Sequence, residues 1–184
     1  MISAEEALYQ SCYCEENVYK LIEKIDDKNG IFAIIISNDC KMIPLWKQKA
    51  AKSINGHVLW DYHVIAIEKE KNGSKVYDLD STLEWSCDFL EYWEKTMNLA
   101  EMAQRDTKFR RKFRVIPGEN YISLLSSDRS HMLSKNGVYL KPPPEWPLIN
   151  SHKPSNLMEL IRMSEQIENT TVMDEPELFQ LFSK

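Results

Sequence analysis

The sequence predicts an α+β domain, a mostly antiparallel β-sheet packed with helices. Three observations carry that expectation. The unbroken apolar run Ile31-Phe32-Ala33-Ile34-Ile35-Ile36-Ser37 reads as a central strand covered on both faces. Two further strand patterns, His57 to Ile67 and Ser74 to Asp80, are joined by Glu68-Lys69-Glu70-Lys71-Asn72-Gly73, and Asn-Gly is a strong hairpin signal. Helical spacing is found in segments flanking these strands.

Taken in order, Val18, Leu21, Ile22 and Ile25 predict a helix over 14–26, which Asp26-Asp27-Lys28-Asn29-Gly30 ends. Cys14 heads this helix on the stripe of Val18, Leu21 and Ile25, so it faces the protein body. After the central strand, Met42-Ile43-Pro44-Leu45-Trp46 is a shorter strand whose proline marks an edge or a bulge. Residues 84–105 read as mainly helical, with Phe89, Leu90, Trp93 and Met97 on one side. Lys112 to Ile116 reads as a strand. From Gly118 the pattern weakens, and Pro142-Pro143-Pro144-Glu145-Trp146-Pro147 is an extended polyproline-type loop. Leu157 to Ile161 and Pro176 to Phe182 are short helices. A single domain over residues 1–184, with 148–184 as its tail, is the expected organisation.

The composition narrows the function. A chain of 184 residues with 43% apolar content suits one core. A net charge of −5 argues against a dedicated nucleic-acid binder. The basic stretch Arg110-Arg111-Lys112-Phe113-Arg114 is then expected to be a strand with one charged face. No apolar run approaches the roughly 20 residues of a membrane span, and the first residues lack a signal-peptide pattern. Four cysteines, Cys12, Cys14, Cys40 and Cys87, are few for a disulfide scaffold, so a reduced intracellular protein is expected. Cys12 and Cys14 have one residue between them, whereas structural zinc sites use two to four. No metal or other cofactor is expected. With no heptad or long apolar edge, a monomer is the default.

The order of residue types points to thiol acyl-transfer chemistry: a cysteine at a helix head, a histidine on one strand, an aspartate on the next. A free thiol, with a pKa near about 8.5, is mostly protonated at neutral pH. The unpaired N–H groups of a first helical turn favour the thiolate, as would an imidazolium partner. Glu15 and Glu16 oppose it. Against this stands the ordinary reading of Cys14 as a small buried apolar residue.

Asp61, His63, Ile65 and Ile67 share one strand face, and Asp78 shares a face with Asp80. Which aspartate meets His63 depends on register. A two-residue turn at Asn72-Gly73 sets His63 opposite Thr82 and leaves Asp78 on the order of 13 Å away along the strand. A loop over 68–73 sets His63 opposite Asp78, and the register between these selects Asp80. Spacing alone leaves the choice open. The plainer alternatives are a core histidine satisfied by backbone and turn aspartates at a strand end.

Several long motifs then converge. Ser-Cys-Tyr-Cys-Glu-Glu-Asn at 11–17, Lys-Met-Ile-Pro-Leu-Trp-Lys-Gln at 41–48, Trp-Asp-Tyr-His-Val at 60–64 and Tyr-Asp-Leu-Asp at 77–80 resemble the protein N-terminal glutamine amidohydrolase family. So do Phe-Arg-Arg-Lys-Phe-Arg-Val-Ile at 109–116 and Ser-Asp-Arg-Ser-His-Met at 127–132. The resemblance runs from about residue 9 to 147. The tail keeps only a Leu-Phe-x-x-Phe echo and lacks the family's glycine.

The resemblance implies that Cys14 is the nucleophile, His63 the base and Asp78 the orienting acid, and so selects the register that pairs His63 with Asp78. It implies a core like those of papain and transglutaminases. It also implies hydrolysis of the side-chain amide of an N-terminal glutamine to glutamate and ammonia, feeding arginylation and the N-degron route in the cytoplasm and the nucleus. The substrates would be proteins or peptides starting with glutamine, with neither nucleic acid nor a membrane as partner. Reading a free α-ammonium needs a carboxylate or carbonyls near the pocket. Asp61 and Asp128 are candidates, with Glu15 behind them, and Trp60 is near enough to His63 to wall a pocket. The competing readings are a transglutaminase, a thiol protease or a non-catalytic binding module.

Overall fold

A computed structural model describes residues 2–53, 56–102 and 106–184. Its centre is a six-stranded sheet ordered β6-β5-β4-β1-β7-β8, in which every neighbouring pair is antiparallel. The strands are β1 (Ile31–Ser37), β4 (Tyr62–Glu70), β5 (Gly73–Tyr77), β6 (Cys87–Asp88), β7 (Lys112–Pro117) and β8 (Thr171–Met173). A separate ribbon pairs β2 (Ile43–Trp46) with β3 (His57–Trp60). The fold is α+β.

The central run is sandwiched because its alternate side chains enter two different cores. Ala33 and Ile35 pack under α1 (Cys14–Glu23), α4 (Gly118–Leu124) and α5 (Leu157–Leu160). Ile34 and Ile36 pack under α2 (Phe89–Tyr92), the following π-helical turn Trp93–Met97 and α6 (Glu175–Phe182). Gly118 lets α4 start hard against the sheet, since a Cβ there would meet Ile31 Cγ2 at 2.8 Å and the Ile31 carbonyl oxygen at 3.1 Å.

Several expectations need correction. The helix expected over 84–105 is broken into β6, α2, the π-helical turn and α3 (Leu99–Met102); residues 103–105 lie outside those described. Ser86 (φ 55°) and Asn98 (φ 46°) adopt left-handed backbone, which a continuous helix does not allow. Leu90, expected beside Phe89 and Trp93, is exposed, while those two are buried. The strand expected from His57 to Ile67 is interrupted at Asp61 and passes from the ribbon to the main sheet. Two elements, α4 and β8, fall where the sequence pattern was weak.

The basic stretch is only in part a charged surface: Arg110 and Lys112 are exposed, and the other two arginines are not. Arg111 and Arg114 are only 2% and 1% exposed. Arg114 donates to the carbonyls of Leu160, Arg162 and Glu165 and to the Thr170 hydroxyl, so its guanidinium gathers the tail onto β7. Arg111 pairs with Glu175 at the start of α6 and donates to the Pro44 carbonyl. Five fixed donors let one arginine satisfy several backbone carbonyls at once. Among the described residues no helix is long and apolar enough to cross a membrane.

Candidate active site

The β4–β5 ladder runs from Glu70–Gly73 to Ala66–Tyr77 and stops. This is the register that, if continued, would place Asp80 opposite His63, so the expected pairing of His63 with Asp78 across the strands is overturned. The chain instead leaves the strand after Tyr77. The Asp80 N–H donates to Asp78 Oδ1 and the Ser81 N–H to the Asp78 carbonyl, closing a tight turn. That turn brings Asp78 Oδ1 to 2.9 Å from His63 Nε2. Gln48 Nε2 and the Tyr92 hydroxyl both donate to Asp78 Oδ2, at 2.9 and 2.8 Å.

Both groups are buried. Burial alone would lower the His63 pKa, but the Asp78 charge and hydrogen bond outweigh it and raise the ring above its ordinary 6.5. Burial alone would raise Asp78; attraction to His63 and the donors from His63, Gln48 and Tyr92 hold it below 3.8. With Nε2 committed to Asp78, Nδ1 is the nitrogen left for other work, and it is buried without a hydrogen-bond partner. Trp60 stacks on the ring, with centroids 4.7 Å apart and an interplanar angle of 22°.

Cys14 is the first residue of α1, and the early end of β5 explains its surroundings. β5 no longer pairs β4 at Val64, and the Val64 backbone N–H favours the thiolate of Cys14. Burial first, then the charges of Glu15, Asp80 and Asp78, push the other way, and the thiol pKa is raised well above 9.0. The thiol donates to Glu15 Oε2 at 3.7 Å. In this conformation it is a neutral thiol beside the strand that carries His63.

A cleft of about 680 Å³ opens above it, lined by Cys12, Cys14, Trp60, Asp61, Tyr62 and His131 among others. A larger cleft of about 800 Å³ near Trp46, His57 and Trp93 holds none of Cys14, His63 and Asp78. Of the substrate-contact candidates, Trp60 and Asp61 line the first cleft. Asp61 is exposed and accepts from the Tyr62 N–H. Asp128 is not on the cleft wall; its carboxylate accepts from the Ser130 N–H and shapes a turn. Glu15 is fully buried, and Tyr62 donates to its Oε2 at 3.0 Å.

The structural roles of Glu16 and His131 escaped the sequence reading. Glu16 accepts from Arg129 through both oxygens, and also from Ser127 and the Trp146 indole. Arg129 in turn holds the carbonyls of Pro144, Trp146 and Pro147, so the proline loop is fixed to α1 beside the cleft. His131, on the short 3₁₀ turn Ser130–Met132, lines the cleft with Nε2 3.4 Å from Glu15 Oε1. The only available signal for either was membership of quoted motifs.

A metal is the other occupant to weigh, because ligand atoms of His63, Asp78 and Asp80 lie within 4.8 Å of one another. Each Asp78 oxygen already accepts two hydrogen bonds, and Asp80 Oδ1 accepts from the Tyr9 hydroxyl at 2.7 Å. A cation would have to displace these donors. The donor set fits a carboxylate that orients an imidazole better than it fits a ligand shell.

A family model described as N-terminal glutamine amidase matches residues 9–182. The chain belongs to that family. The match includes the tail, beyond the residues up to 147 that carried the resemblance in the sequence. A Caenorhabditis briggsae relative named Protein N-terminal glutamine amidohydrolase is 60% identical over 185 residues, covering 100% of this chain and 99% of the relative. Relatives of the same name from Bos taurus and Homo sapiens are each 39% identical, covering 97% and 89% of this chain and 88% and 82% of their own lengths.

Proposed function

We propose that the protein deamidates N-terminal glutamine, hydrolysing the side-chain amide to glutamate and ammonia through Cys14, His63 and Asp78. The observation that carries this reading is the buried His63–Asp78 pair, with its second ring nitrogen unspent, on the strand whose Tyr62 and Val64 share a core with Cys14. Family membership and the names of the relatives support the reaction class.

His63 Nδ1 takes the Cys14 proton as sulfur attacks the amide carbon, and the imidazolium then protonates the departing ammonia. A thioester remains on Cys14, and His63 activates water to release glutamate. Asp78 fixes the ring tautomer and stabilises the imidazolium. The Cys14 backbone N–H, at the head of α1, is one donor for the oxyanion. Nucleophile at a helix head, histidine and then acid on the strands is the order of papain-like and transglutaminase cores, and we place this chain with them. Its product is an N-terminal glutamate open to arginylation in the N-degron route, in the cytoplasm or nucleus, and the protein acts as a monomer on polypeptides.

Mass spectrometry of a Gln-initiated peptide tests this. A gain of about one mass unit with ammonia release is expected, none with an N-acetylated or internal-Gln peptide, and none with Cys14→Ala. Ammonia from internal glutamine, or amine incorporation, would move the protein to transglutaminase chemistry.

A further inference from the structure

We propose that Glu15 and His131 together form the receptor for the substrate's α-ammonium. This rests on the proposed function and names the group that makes the site read a chain terminus. Glu15 Oε1 and His131 Nε2 are 3.4 Å apart, both buried, and neither has a hydrogen-bond partner. Unpaired buried polar atoms are costly, and two that face one another beside a cleft mark the place of a missing donor. An ammonium carries three protons and accepts none, so it satisfies the carboxylate oxygen and the ring nitrogen in its lone-pair tautomer at once.

The geometry fits the substrate. Four bonds separate the ammonium nitrogen of glutamine from its side-chain amide carbon, about 5 Å when extended. Cys14 Sγ lies 3.7 Å from the near oxygen of Glu15, and the far oxygen, one carboxylate width beyond, is the unpaired one. The amide carbon can therefore sit over the sulfur while the ammonium reaches Oε1. His131 is on the cleft wall and the fully buried Glu15 lies behind it, so the ammonium reaches Oε1 past the imidazole. The other acids are less suited. One Asp61 oxygen is engaged by the Tyr62 N–H in solvent, and the Asp128 carboxylate is spent on the Ser130 N–H of its own turn.

The site also couples recognition to chemistry. After burial, the Glu15 charge is the largest influence holding the Cys14 thiol protonated. A substrate ammonium seated on Glu15 neutralises that charge next to the sulfur and eases its ionisation. A peptide without the ammonium leaves the thiol in its resting state.

The test is calorimetric, on Cys14→Ala protein, with a Gln-initiated peptide and the same peptide whose α-amino group is replaced by hydrogen. The free amine should bind about 10- to 100-fold more tightly, the range expected of a charge-assisted hydrogen bond. That ratio should fall to within about threefold when Glu15→Gln is added, and should shrink with His131→Gln on the cleft wall. An Asp61→Asn control should keep it. Equal affinity for the two peptides, no binding of either, or a ratio unchanged by both Glu15→Gln and His131→Gln overturns the inference. Ammonia release by the unsubstituted protein is scored separately. Its absence sinks the proposed function, whereas its presence with an unmoved ratio sinks this inference alone.

Discussion

His63 and Asp78 share a 2.9 Å hydrogen bond although the strand register does not pair them. The aspartate reaches the ring from a turn, after β5 has ended. Its carboxylate is therefore placed by its own partners, the Asp80 N–H, Gln48 and Tyr92, and not by a ladder.

Asp78→Asn should accordingly cut kcat/KM on a Gln-initiated peptide by on the order of 10²-fold or more, because an amide offers the ring no charge and can impose the wrong tautomer. Tyr92→Phe, which removes one of four donors, should cost about tenfold or less and leave the fold intact. Steady-state kinetics on the two variants checks the order. Equal losses would mean that Tyr92 acts by some route other than Asp78.

The pH profile carries a sign. His63 must be unprotonated to accept the thiol proton, and its pKa is raised above 6.5. Activity should therefore fall on the acid side at a pH above 6.5, and Asp78→Asn should move that limb to lower pH. Stability behaves differently for the two partners. The raised His63 contributes stability that is complete below 6.5 and lost as pH climbs through its folded value. The lowered Asp78 contributes stability complete above 3.8 and lost as pH falls through its folded value. An acid limb below 6.5 would show that burial, not Asp78, governs the ring.

These positions show what the sequence could disclose. Periodicity located α1, β1 and the hairpin because those patterns come from burial against one or two cores, which local spacing records. It could not set the hairpin register, since a shift of two residues keeps every side chain on its face. It missed α4 and β8, whose short segments are held by Gly118 packing on Ile31 and by Arg114 binding tail carbonyls, both long-range facts. It expected one charged face over 110–114 and did not foresee that Arg111 and Arg114 are buried, because charge alone does not reveal a distant partner. The opposed roles of Glu15 and Glu16 are equally invisible, because adjacent helix positions point about 100° apart.

Glu16 and Glu15 should separate on substitution. Glu16→Ala strands the Arg129 guanidinium in a buried site and should cost about 3 to 5 kcal/mol, read by chemical denaturation. It should also loosen the 142–147 loop, visible as faster amide exchange there. Glu15→Gln keeps the volume and the Tyr62 contact and should cost less stability while losing more turnover. A Glu16 variant as stable as the parent would show that the proline loop is held by other means.

The resting thiol offers a direct probe of the electrostatics. Cys14 is buried, and its pKa is raised well above 9.0 by burial and then by Glu15, whereas Cys40 is exposed. Alkylation requires the thiolate, so iodoacetamide at pH 7.5 should label Cys40 well before Cys14, reversing the order expected of a preformed thiolate–imidazolium pair. Removing the adjacent charge in Glu15→Gln should speed Cys14 labelling with Cys40 as the internal reference, and peptide mapping gives both rates from one sample. If Cys14 reacts first in the unsubstituted protein, the sulfur is already ionised without substrate. The activation that we assign to the ammonium would then have no work left to do.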